Sequence, residues 1–155
     1  MKKTFTFLMA AMVISLMTSC FGGGSKAELN LSNEAKMLMN KTWYPDTKAD
    51  TQFGGDIEKI GNFFAGKYLF GTPDDDPTDL VYSCKVGEGL LSSTYAGRWK
   101  LLDDNKTLLL YPYDYTENKY KTEADTCTIL ELTPETLVWQ KKGVLLSEHF
   151  STTKP

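Results

Sequence analysis

The residues able to do chemistry are few. Cysteine occurs at positions 20, 84 and 127, and the one histidine is His149. A Ser-His-Asp or Cys-His arrangement would have to use His149 as its base. His149 lies between Glu148 and Phe150 near the C-terminus, on a strand by its pattern, and reads as an edge or surface histidine. A zinc site needs four Cys, His or carboxylate ligands, and Cys84, Cys127 and His149 show no ligand spacing. The run TPDDDPTD, 72–79, holds three consecutive acids between two prolines. A calcium loop of the EF-hand type alternates its acids around a glycine, so this run reads as a solvated loop. Gly22–Gly24 follow no strand and form no phosphate loop. Carboxylate pairs for glycoside hydrolysis have no sequence spacing, and nothing in the chain points to one. The expectation is a non-enzymatic protein with no metal and no cofactor.

The remaining chemistry is at Cys20. The chain opens Met1-Lys2-Lys3, and an apolar stretch runs from Phe5 to Met17, broken by Thr6 and Ser15. That stretch is shorter than the roughly twenty residues needed to span a bilayer. A basic start, a short apolar region and small residues before a cut site read as a secretory signal peptide, here 1–19. Thr18-Ser19-Cys20 resembles a bacterial lipobox, in which cleavage leaves the cysteine first and its thiol takes a diacylglycerol. The resemblance implies a lipoprotein whose palmitate-type acyl chains form a membrane anchor, each buried methylene adding about 0.8 kcal/mol. Residues 20–31 then form the lipidated cysteine and a flexible tether, with Gly22-Gly23-Gly24-Ser25 as its slack. No acidic run follows Cys20, which favours a periplasm-facing site in the bacterial cell envelope over the cell surface.

Residues 32–155 suffice for one domain with one core. Without Lys2 and Lys3 the 17 basic residues fall to 15 against 20 acids, a net charge near −5. An acidic chain without a basic cluster argues against nucleic acid as a partner and against electrostatic membrane binding beyond the anchor.

Ser32 is placed to cap a short helix from Asn33 to about Asn40, with Glu34 in the first turn. Beyond it, short runs rich in aromatic and β-branched residues alternate with turn residues, the all-β pattern. The candidate strands are Lys41–Tyr44, Asp56–Asn62, Gly66–Phe70, Asp79–Val86, Leu90–Leu102, Thr107–Tyr113, Tyr120–Leu132, Thr136–Lys141 and Val144–Ser151. Short connections such as Asp103–Lys106 and Thr133-Pro134-Glu135 favour sequential antiparallel neighbours. Eight or nine strands in that order can remove their edges by closing into a barrel. A two-sheet sandwich is the alternative.

Three stretches are similar to the lipocalin-like domain of small secreted bacterial lipoproteins. They are NKTWY, 40–44; GRWKLLDDNKTLLL, 97–110; and TILELTPETLVW, 128–139. The resemblance implies an up-and-down β-barrel with a short N-terminal helix. It carries no catalytic motif.

In such a barrel Trp99 and Leu101 alternate inward, with Leu108 and Leu110 facing them across the turn. Trp43, Tyr68, Phe70, Tyr82, Leu137 and Trp139 complete the lining. These aromatics either wall a pocket or fill the core themselves; the leading functional expectation is a small apolar or amphipathic ligand bound there, with an interaction surface as the alternative. Strand alternation then turns Tyr111, Tyr113 and Tyr115 outward, a candidate contact surface for a protein or a glycan. A periplasmic enzyme inhibitor would be one example. A Cys84–Cys127 disulfide would close a loop of about 43 residues and contribute about 4 kcal/mol. Its strands are about three places apart in a meander, which is awkward for Cα atoms that must approach within about 7 Å. The alternative is two separate buried thiols.

Overall fold

The computed structural model describes residues 29–46, 66–73, 76 and 78–154. Cys20, most of the tether and the candidate strand Asp56–Asn62 lie outside the described residues.

A short helix, α1 (Asn33–Leu38), comes first. The Ser32 side chain accepts the Ala35 N–H at 3.1 Å, and Glu34 occupies the first turn. The helix is one turn and a half, so packing must hold it. Ala35 and Leu38 are buried in the barrel core, and the Trp43 indole donates to the Leu38 carbonyl at 3.0 Å.

Among the described residues nine strands follow: β1 (Thr42–Pro45), β2 (Lys67–Gly71), β3 (Val81–Val86), β4 (Ser93–Leu101), β5 (Thr107–Asp114), β6 (Lys119–Tyr120), β7 (Asp125–Leu132), β8 (Thr136–Lys141) and β9 (Glu148–Ser151). Eight of them close an antiparallel barrel, with β6 as an extra strand on the upper part of β5. The ring is closed by β9 against β1, where Tyr44 faces Ser151 and Pro45 faces Phe150. Sequential strands pair antiparallel, apart from the β6 excursion. Full closure leaves no barrel strand with an unpaired edge. The sandwich alternative is therefore excluded.

Inward positions alternate along the strands: Tyr68 and Phe70, Tyr82 and Cys84, Leu108 and Leu110, Cys127 and Ile129 are all buried. The period of two is what the sequence pattern demands of a wall with one apolar face.

Three strands are shorter than the aliphatic runs suggest. Leu90 and Leu91 are not in β4; Gly89–Leu91 is a single 3-10 turn, and both leucines are exposed. Gly87 has φ of 79°, a conformation that turns the chain out of β3 before the leucines are reached. Val144, Leu145 and Leu146 are likewise exposed outside β9. The Gln140 side chain holds that loop by donating to the Val144 and Leu145 carbonyls at 3.0 and 3.1 Å. Tyr120–Leu132 is not one strand. Asp114 accepts the N–H groups of Thr116 and Glu117, Asn118 takes φ of 53°, and Lys119–Tyr120 folds back onto Tyr113 and Asp114. The β7 ladder starts only at Asp125.

Candidate functional site

The six aromatics expected to line the interior do meet there. Trp43, Phe70 and Trp139 are fully buried, and Tyr68, Tyr82 and Trp99 nearly so. Tyr68 stacks on Phe70 at 6.1 Å between centroids and meets Trp139 edge-on at 5.0 Å. Phe70 meets Trp99 edge-on at 5.5 Å, and Trp139 meets Phe150 at 4.8 Å. Such spacings are those of rings in mutual contact. With Leu38, Leu108, Leu110 and Leu137 they form one continuous cluster.

Polar groups enter this interior as a short chain. The Trp139 indole donates to Glu148 Oε2 at 2.6 Å, and Lys141 Nζ bonds Glu148 Oε1 at 3.1 Å. Lys141 also reaches the Tyr68 hydroxyl at 3.5 Å. Cys84 lies against that hydroxyl. Burial pushes the Tyr68 phenol and the Cys84 thiol above their ordinary ranges, and it pushes Cys127 up to about 12. Both cysteines are free and buried, so the candidate disulfide is not formed. The physical reason is topological: β4 and β5 stand between β3 and β7 around the ring. Thiols held protonated are poor nucleophiles. Among the described residues the buried Trp99 indole N–H has no partner, which costs about 1–3 kcal/mol unless another group meets it.

His149 lies half-buried on β9, with its Nε2 3.1 Å from Ser147 Oγ. Asp76 Oδ1 accepts both the N–H and the hydroxyl of Thr78, closing a local turn and lowering the carboxyl's pKa. Among the described residues no three His, Cys, Asp or Glu come together as metal ligands.

The outer wall of β4, β5 and β6 carries the second aromatic assembly. Leu108 and Leu110 point inward, so Tyr111 and Tyr113 point outward and Tyr115 is 63 % exposed. Tyr113 meets both Tyr115 and Tyr120 edge-on at 5.1 Å, and its hydroxyl donates to Asn118 Oδ1 at 2.5 Å. Beside this cluster an open groove of about 490 Å³ runs along Asp79, Leu80, Arg98, Lys100, Tyr111, Tyr120 and Lys121. Arg98 lies over the Tyr120 ring at 4.3 Å and is paired with Asp79 at 2.8 Å.

Thus Tyr111, Tyr113 and Tyr115 share one wall, but Tyr111 belongs to the groove and the other two to the ring cluster. Arg98, Asp79, Tyr120 and the flanking lysines were not among the sequence candidates. Arg98 and Lys100 are legible as outward residues once Trp99 is taken as inward. Tyr120 is not, because its place depends on the fold-back of β6. Comparison of the chain with family models, curated proteins and solved structures returns no match.

Proposed function

We propose that this is a non-enzymatic lipoprotein of a bacterial cell envelope, anchored through Cys20, whose lipocalin-like barrel is a binding scaffold. Its recognition face is the outer wall formed by β4, β5 and β6. The observation that carries this reading is the division of the aromatics. The inner set contacts itself ring to ring, whereas Tyr111, Tyr113, Tyr115 and Tyr120 are gathered on the surface. Tyrosine offers apolar area with a polar tip and little side-chain entropy to lose, which suits protein or glycan contact. A periplasmic inhibitor of an envelope enzyme is one form such a module takes.

A second reading keeps a small apolar or amphipathic ligand inside the barrel. It is favoured by one observation, the unpartnered indole N–H of Trp99. Photo-crosslinking in the native envelope separates the two. A benzophenone side chain at Tyr115 should give a discrete adduct. The same group at Leu130, which is 57 % exposed on β7, should not. Equal labelling from both positions, or a small molecule co-purifying with an unlabelled wall, overturns the outer-face reading.

A further inference from the structure

The groove beside the tyrosine cluster has the chemistry of a small-molecule site in its own right. Its central group is Arg98, and that side chain is fixed from two directions. One face lies on the Tyr120 ring at 4.3 Å. Its Nε and Nη2 bond Asp79, at 3.1 and 2.9 Å to Oδ2. A guanidinium carries five N–H donors. Asp79 engages the Nε–Nη2 side, which leaves Nη1 and the second Nη2 hydrogen as an end-on pair. That pair matches the two oxygens of a carboxylate. An arginine already held in place loses little rotamer freedom when a ligand arrives.

The rest of the groove agrees. Among the described residues Arg98, Lys100 and Lys121 meet two carboxylates, Asp79 in the groove and Asp76 near Arg98, so the groove keeps a cationic excess in a chain of net charge −3. Leu80, Tyr111 and Tyr120 supply apolar wall. The volume, about 490 Å³, falls within the usual 300–1,000 Å³ of ligand pockets.

We infer that the groove between Asp79–Leu80 and Tyr111–Tyr120 binds a small amphiphilic carboxylate, its charged end on the free edge of Arg98 and its apolar body along Leu80, Tyr111 and Tyr120. This goes beyond the outer-face reading: it lies on the same wall but does not depend on a macromolecular partner there. It names a small organic anion as the occupant.

The test uses the mature chain with Cys20→Ser and two probes, 1-pyrenebutyrate and the neutral 1-pyrenebutanol, read by fluorescence anisotropy. The carboxylate should bind at least tenfold more tightly than the alcohol, and raising the salt should narrow the gap. Arg98→Gln should abolish the difference. Arg98→Lys should recover only part of it, because an ammonium keeps the charge but not the two-donor edge. The indole N–H signals of Trp43, Trp99 and Trp139 verify that each variant is folded. In the wild type, addition of 1-pyrenebutyrate should perturb the backbone amides of Lys100 and Tyr111, which line the groove, and leave the indole signals of Trp43, Trp99 and Trp139, which point into the barrel, unmoved. Equal binding of acid and alcohol, unchanged preference in Arg98→Gln, or movement of the three indole signals with the Lys100 and Tyr111 amides still overturns the inference. Crosslinking at Tyr115 is scored separately, so loss of a macromolecular partner there does not alter this result.

Discussion

Gly97 stands directly opposite Tyr82 in the β3–β4 ladder, and the tyrosine ring lies over it. A Cβ at position 97 would fall 2.5 Å from Tyr82 Cε1 and would also strike the Tyr111 carbonyl. The glycine therefore gives the inward ring room to pack across the strand. Gly97→Ala should destabilise the barrel by about 1–3 kcal/mol, the usual cost of forcing atoms into a packed site. Urea unfolding checks it. An unchanged midpoint would mean that Tyr82 moves aside freely.

The aromatic interior makes its own forecast. Phe70 touches Tyr68, Tyr82, Trp99 and Trp139 and has no exposed surface. In an interior filled by side chains, Phe70→Ala should cost about 3–5 kcal/mol. A hollow barrel would lose far less, because the truncated ring would merely enlarge an existing space. Equilibrium unfolding of this one variant thus weighs a packed interior against an open one.

Trp43 joins the barrel to the helix through a single buried bond to Leu38. Trp43→Phe keeps one aromatic ring but loses the pyrrole half with its N–H, which leaves that carbonyl without its donor at about 1–3 kcal/mol, beside the cost of the lost volume. Amide exchange should quicken in Asn33–Leu38 more than in β3 or β4. Uniform acceleration across the chain would show that α1 does not depend on this bond.

These sites also show how far the fold was legible. The Ser32 cap, the meander order and the inward phase of Trp99, Leu108 and Leu110 follow from capping chemistry, short turns and alternation, all of which act locally. The errors arose where hydropathy and backbone geometry disagree. Leu90, Leu91 and Val144–Leu146 are aliphatic and read as strand, yet the turns around them expose them. Tyr120 reads as the start of a long strand, yet the Asp114 turn returns it to Tyr113. The groove depends on that return, together with the meeting of Arg98 and Asp79 across 19 residues, and no local pattern in the chain encodes either. The packed or hollow state of the interior was equally illegible, since the same inward aromatics serve both.

The Arg98–Tyr120 stack should be measurable in the free protein. Both groups are accessible, so the coupling expected from a double-mutant cycle with Arg98→Ala and Tyr120→Leu is about 0.5–1 kcal/mol. Asp79→Asn should weaken it, because the ion pair fixes the guanidinium over the ring. Additive single and double variants would show that the stack contributes nothing to holding β6 against β4.

The buried thiols give the chain an alkaline weakness. Cys127 has no exposed surface, and its burial raises its pKa from 9.0 to about 12, with Lys141 opposing and Glu148 and Asp125 reinforcing the rise. Below pH 9 the thiol is protonated in both folded and unfolded chains, and its contribution to stability is complete. Between pH 9 and about 12 the unfolded chain releases the proton while the native chain keeps it. Unfolding is then favoured by up to about 1.4 kcal/mol for each pH unit. Cys84, Tyr68 and Tyr82 are shifted upward too and act in the same direction. Cys127→Ala costs stability at neutral pH through the space it leaves, but it removes this proton from the balance. Its stability should therefore fall less steeply than that of the wild type when urea midpoints are compared at pH 8 and pH 10.5, by about 1–2 kcal/mol. Parallel decline in the two proteins would mean that the thiol ionises in place, with its charge tolerated near Lys141.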